Sequence, residues 1–220
     1  MNRKEKMKKE INTFTNKKYV YVEKALSKEI CDLATQYGLF DSISDFTPDQ
    51  NQVVGAHSKY ADPLMESILL LLWPIVEKAT GLKLFPTYSF YRTYKPGDEL
   101  KPHVDRPSCE ISLSLCLGWT YIHDDPNYKW ELIVGDSSFR MNQGDIAIYR
   151  GLEVNHSRKP FEGREGSFQV QAFCHYVNAD GPFAFLKHDG RVGIGLPASS
   201  KDREINLFNL AQEILESKGN

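Results

Sequence analysis

The stretch FYRTYKPGDELKPHVD, residues 90–105, decides how this chain is read. Its first half belongs to a segment of period-two hydrophobicity, the pattern of a half-buried strand. Pro96-Gly97-Asp98 then supplies a turn. The second half ends on His103 and Asp105, one residue apart. In an extended segment, positions i and i+2 project from the same face, with Cα atoms about 6.6–6.8 Å apart. An imidazole and a carboxylate are therefore offered side by side to a single cation. That spacing is common by chance, so its weight depends on what surrounds it.

Working outward, period-two hydrophobicity runs from Leu84 onward and predicts strands over residues 88–94, 110–117, 130–134, 138–141, 145–149, 154–158 and 167–177. Turn residues punctuate them, including Asp124-Asp125-Pro126-Asn127, Gly135-Asp136 and Asn142-Gln143-Gly144. Many short strands separated by turns argue for a β-barrel or sandwich. The first third reads helical. Ser27 is a candidate N-cap, followed by Ile30, Leu33, Ala34 and Tyr37 at helix spacing up to Gly38. Asp62-Pro63 caps a second helix that should stop at Gly81 and kink or break at Pro74. Residues 41–60 are expected to form a loop, and residues 203–217 return to helix period. The expected organisation is a basic, flexible leader over residues 1–16 and a single domain over 17–220, its β core spanning about 84–190.

Composition narrows the function classes. The 220 residues are 41% hydrophobic and 25% charged, with a net charge of -2, which describes an ordinary globular chain without the basic footprint of general nucleic-acid binding. The four cysteines show no CxxC pair or zinc spacing and read as buried, reduced thiols. The N-terminal MNRKEKMKKE lacks the apolar segment of a signal peptide. The longest apolar run, residues 68–76, contains a proline and is far short of the ~20 residues a membrane span needs. A cytoplasmic protein with no membrane association is expected.

A third ligand to the His103/Asp105 pair must come from a neighbouring strand. His156 lies in Val154-Asn155-His156-Ser157-Arg158, directly after the strand predicted over 145–149. Two imidazoles and one carboxylate form the facial triad that holds non-haem Fe(II) with positions left open. His57, His123, His175 and His188 read instead as surface or satisfied core residues.

The run YxxYxxGxxLxxHxD (Tyr91, Tyr94, Gly97, Leu100, His103, Asp105), the GDIAIY strand of residues 144–149 and then His156 together resemble the Fe(II)/2-oxoglutarate-dependent dioxygenases, most closely the prolyl-hydroxylase-like branch, over roughly residues 88–177. The resemblance implies a mostly β fold with flanking helices: a double-stranded β-helix (a jelly-roll, cupin-like barrel) with N-terminal helices packed on it. It also implies His103, Asp105 and His156 as ligands of catalytic Fe(II), 2-oxoglutarate and O2 as cosubstrates, and ascorbate as a candidate reductant. The reaction implied is hydroxylation of an unactivated C–H of an amino-acid, peptide or protein substrate, with release of succinate and CO2. Halogenases of this class lack the carboxylate that Asp105 supplies, so its retention favours hydroxylation.

The far carboxylate of 2-oxoglutarate would need a cation, which a planar guanidinium fork suits. The family places one about nine or ten residues past the distal histidine, which makes Arg164 the first choice. Arg158 is the competitor, on the same strand face as His156, and one residue of register decides between them. Tyr94 matches a family tyrosine that could reach the metal-proximal end of the cosubstrate. Leu100 stands where the branch often has tyrosine, and a second cosubstrate tyrosine is replaced near Leu117, which weakens any transfer of peptidyl-proline specificity. Candidate substrate contacts are Arg106, Trp119 and Tyr121. Arg158 and Arg164 are also spaced as in the nucleic-acid demethylases, but lie too near His156 for that pattern. Two competing readings remain: a non-catalytic jelly-roll binding or scaffold protein, and a cupin-like metalloenzyme that does not use 2-oxoglutarate.

Overall fold

The structure is a computed structural model that describes residues 2–196. The helix expected over 203–217 lies outside the described residues. The three helices are α1 (Arg3–Lys17), α2 (Lys28–Ser44) and α3 (Pro63–Thr80). The strands are β1 (Tyr19–Val22), β2 (His57–Tyr60), β3 (Leu84–Tyr94), β4 (Leu100–His103), β5 (Ile111–Thr120), β6 (Leu132–Val134), β7 (Ser137–Phe139), β8 (Ile146–Arg150), β9 (His156–Arg158) and β10 (Phe168–Asn178). They form a six-stranded sheet in the order β1-β8-β5-β10-β3-β2 and a four-stranded sheet in the order β4-β9-β6-β7, antiparallel throughout. From β3 to β10 the chain passes between the two sheets, so that β3, β5, β8 and β10 face β4, β6, β7 and β9. This is a jelly roll.

The helices cover the outer face of the larger sheet. Leu69, Leu72 and Val76 of α3 are buried with Leu113, Leu115 and Tyr176 of the sheet. Asp62 caps α3 by accepting hydrogen bonds from the backbone N–H groups of Leu64 and Met65, and Gly81 ends the helix at φ 75°. The helix continues through Pro74 without a break. Gly38 does not end α2, which runs on to Ser44. A Cβ at Gly38 would stand 2.8 Å from Val170 Cγ1, so the missing side chain lets the helix lie close against the sheet.

Within the segment expected as a flexible leader, residues 3–16 instead form most of α1, opened by a capping box between Asn2 and Glu5. Phe14, only 1% exposed, joins the main core, and burying a side chain of that size contributes roughly 1.5–3 kcal/mol. The expected loop at 41–60 also holds strand β2 at its end. All four cysteines are free and buried. No helix among the described residues is long and apolar enough to cross a membrane.

Candidate active site

Strand pairing assembles the site. Short β4 and β9 lie side by side with His103 opposite His156 and Leu100 opposite Arg158, and the two imidazole centroids are 4.2 Å apart. Asp105 follows β4, where its backbone N–H donates to Gly151 O at 2.8 Å. Its Oδ1 lies 3.8 Å from His103 Nε2 and 3.6 Å from His156 Nε2. The ligand atoms of all three residues fall within 4.8 Å of one another.

The hydrogen bonds behind the imidazoles decide what they can bind. His103 Nδ1 lies 2.9 Å from Lys101 O and His156 Nδ1 lies 3.2 Å from Val154 O. A carbonyl only accepts, so each Nδ1 carries a proton, and Nε2 is the nitrogen left on the Asp105 side to bind a cation when the ring is neutral. Burial lowers the His156 pKa, which favours the neutral ring, the form that coordinates metal. Two neutral imidazole nitrogens and a carboxylate oxygen on one wall fit Fe(II). They open into a cavity of about 380 Å³ that also reaches Tyr88, Arg92, Tyr149 and His175.

Arg158 and Arg164 sit in opposite environments. Arg158 is 1% exposed, inside the barrel, as expected for the residue two positions from His156 on one strand face. Its Nη1 donates to Trp130 O at 2.7 Å and its Nη2 to Gln171 Oε1 at 3.1 Å. Its guanidinium lies 4.6 Å from the centroid of the Trp130 ring. Nε of Arg158 and Nε2 of Gln171 are buried without hydrogen-bond partners among the described residues. The buried arginines Arg92 and Arg191, and the half-buried Arg106, each pair with a carboxylate; Arg158 pairs with none among the described residues. Arg164, the first choice from sequence, is instead at the surface, with 63% of its side chain exposed and an ion pair to Asp124. Strand β9 ends at Arg158, and the chain reaches Arg164 through an irregular segment, so strand alternation does not carry over to it.

The other expected residues divide. Tyr94 is buried, edge-on to Trp130 at 4.9 Å, with its hydroxyl 3.4 Å from Arg92 Nη1. Arg106 reaches the cavity, but Asp189 engages both its terminal nitrogens at 2.7–2.8 Å. Trp119 and Tyr121 do not line the metal cavity. They stack on each other at 4.8 Å, and Tyr121 donates to Gln169 Oε1 at 2.5 Å, on the strand that carries Gln171.

Sequence reading missed four contributors. Ser112 on β5 bonds to both Asp105 and His175. Burial pushes the His175 imidazole down to about 4. Asp49 holds Arg92 at the cavity wall at 2.6 Å, and Gln171 meets Arg158. The shared inward face of Gln171, Phe173 and His175 on β10 was readable from period two. Their partners, distant in the chain, were not.

No family model and no curated protein matches the chain by sequence. Its structure does match. A prolyl-4-hydroxylase from Pseudomonas putida superposes with a TM-score of 0.61 at 14% identity, covering 78% of this chain and 98% of that one. The non-haem α-ketoglutarate-dependent epimerase SnoN from nogalamycin biosynthesis superposes with a TM-score of 0.66 at 11% identity, covering 90% and 97%. A prolyl hydroxylase from Trichoplax adhaerens, in complex with a hypoxia-inducible-factor peptide fragment, gives 0.58 at 11% identity, covering 81% and 94%. The chain thus has the double-stranded β-helix fold of the 2-oxoglutarate-Fe(II) oxygenases.

Proposed function

We propose that this chain is an Fe(II)- and 2-oxoglutarate-dependent dioxygenase that hydroxylates an unactivated C–H of an amino-acid, peptide or protein substrate. The observation that carries this reading is the convergence of His103 Nε2, His156 Nε2 and Asp105 Oδ1 from two paired elements onto one cavity. These three residues would hold the iron. When bound, it would supply the redox chemistry that couples O2 and 2-oxoglutarate to substrate oxidation, with release of succinate and CO2. No side chain needs to act as a general acid or base in that coupling.

The protein's share is binding and enclosure. Arg158 is assigned to the far carboxylate of 2-oxoglutarate, replacing Arg164. A buried cation with no counter-ion is costly, by several kcal/mol, and a dianionic cosubstrate would remove that cost. Gln171, with its unpartnered Nε2, would donate a further hydrogen bond, and Tyr94 and Trp130 pack beside the guanidinium. Burial of these groups excludes water and strengthens the electrostatic interactions there. On the substrate side, Arg92 and Arg106 are closed upon Asp49 and Asp189, so neither guanidinium is free to pair with a substrate anion. That favours a substrate whose reacting end is not anionic. The four buried thiols suit a reducing cytoplasm.

The test is anaerobic. Protein purified without oxygen and given Fe(II), then 2-oxoglutarate, should develop a weak visible charge-transfer band, and should form succinate slowly once air is admitted. If neither is seen, the enzyme reading fails.

A further inference from the structure

The geometry points to Ser112 and His175 as a positioning pair that turns Asp105 so that a single carboxylate oxygen faces the cation. This rests on the reading of Asp105 as a metal ligand. The two oxygens of Asp105 have different surroundings. Oδ1 faces the two histidine Nε2 atoms at 3.8 and 3.6 Å, whereas Oδ2 lies 2.7 Å from Ser112 Oγ.

Hydrogen-bond arithmetic then orders the whole chain of groups. An ionised carboxylate only accepts, so the one hydroxyl proton of Ser112 is donated to Asp105; Cys109 O, at 3.1 Å, is the more distant acceptor. Ser112 Oγ is also 2.9 Å from His175 Nδ1. With its proton committed to Asp105, the hydroxyl accepts there, and His175 Nδ1–H donates. The direction is therefore His175 to Ser112 to Asp105. Ser112 and His175 stand opposite each other in the β5–β10 pairing of the larger sheet. Asp105 follows a strand of the smaller one. The pair thus ties the ligand loop of one sheet to the floor of the other.

The enclosure behind Oδ2 is tight. A Cβ at Gly151 would come within 2.7 Å of Asp105 Oδ2 and 2.8 Å of Ser112 Oγ, and would collide with Cys109 O. A carboxylate turned to offer both oxygens to a metal would give up the 2.7 Å bond from Ser112 and leave that buried hydroxyl only the longer contact to Cys109 O at 3.1 Å, a less favourable state. Holding one oxygen back keeps the protein at three ligand atoms and leaves the remaining positions open to cosubstrate and O2.

A rival arrangement uses some of the same side chains. Asp105, Cys109 and His175 also place ligand atoms within 4.8 Å of one another, and in principle His175 could bind a soft metal with the Cys109 thiol. Co(II) titration of the oxygen-free, full-length protein, read by visible d–d absorption, separates the possibilities. Wild type should bind one equivalent. Ser112→Ala and His175→Leu should bind roughly 10- to 100-fold more weakly and with an altered spectrum. His175→Asn, whose amide N–H can replace Nδ1–H, should restore both affinity and spectrum, a rescue that a packing role alone would not produce. Circular dichroism of each variant confirms the fold. If wild type binds Co(II) and Ser112→Ala matches it in affinity and spectrum, the positioning role is wrong while the metal site stands. If wild type takes a second equivalent that Cys109→Ala removes, His175 is a ligand and the role is again wrong. If wild type binds none, the metal site itself fails and the positioning role with it.

Discussion

Arg158 and Arg191 are buried to nearly the same degree, 1% and 4% exposed, and each lies near an aromatic ring, Trp130 at 4.6 Å and Tyr60 at 5.4 Å. Their partners differ. Arg191 is closed by protein: Nη2 meets Glu66 Oε1 at 2.5 Å and Thr87 O at 2.8 Å, Nη1 meets Leu196 O, and Nε meets His188 O. Among the described residues Arg158 has only neutral partners, and its Nε has none. Desolvating a guanidinium is expensive in either place. In one the protein supplies the compensating charge, and in the other none of the described residues does. The contrast is the one expected between a structural arginine and the ligand-binding arginine proposed above, although burial and residue type are the same.

The largest effect that tests this contrast is on stability. Glu66→Ala strips Arg191 of its counter-ion and should destabilise the protein by about 3–5 kcal/mol in denaturant unfolding. The corresponding treatment of the other arginine should have the opposite sign. Arg158→Met removes an uncompensated charge and should leave the cosubstrate-free protein as stable as wild type or more so. If Arg158→Met destabilises as much as Glu66→Ala, then protein groups already satisfy Arg158 and the contrast collapses.

Cosubstrate binding gives the next effect. In oxygen-free, Fe(II)-loaded wild type, 2-oxoglutarate at 100 times its dissociation constant should add about 2.7 kcal/mol to stability, read as an upward shift of the unfolding midpoint. Arg158→Met should show none of that shift at the same concentration. Arg158→Lys sharpens the point. It retains the charge but loses the planar fork, so affinity for 2-oxoglutarate should fall by about 1.5 kcal/mol, roughly tenfold. Equal losses in the Lys and Met variants would mean that the fork, and not the charge, is what the anion requires.

These regions also mark how far the sequence could be read. Local periodicity was enough for the strand-turn-strand around His103 and Asp105, for the cap at Asp62 and for the stop at Gly81, because each depends on neighbours within a few residues. It failed where the partner is remote. Gly38 looked like a helix end because its reason lies in Val170, on the far side of the chain. The basic face of residues 1–16 concealed Phe14, whose burial depends on the core it meets. His175 looked like an ordinary core histidine, since nothing adjacent to it announces Ser112 across the sheet. Arg158 and Arg164 were separated by register alone, which a six-residue interval containing Pro160 and Gly163 does not determine.

The smallest predicted effect bears on that last ambiguity. Arg164 has an exposed side chain, and its partner Asp124 is more exposed still, at 88%. A pair of this kind is screened by solvent and loses side-chain entropy when it forms, so exposed pairs contribute little. Arg164→Ala should therefore change stability by no more than about 0.5 kcal/mol and leave the 2-oxoglutarate-induced shift of the unfolding midpoint as in wild type. The near-zero result is informative because the family spacing that favours Arg164 predicts the reverse, a loss of cosubstrate affinity comparable with that of Arg158→Met. Should Arg164→Ala abolish the shift while Arg158→Met keeps it, the loop carrying Arg164 must fold inward when cosubstrate binds, and the buried Arg158 would need another anion to explain it.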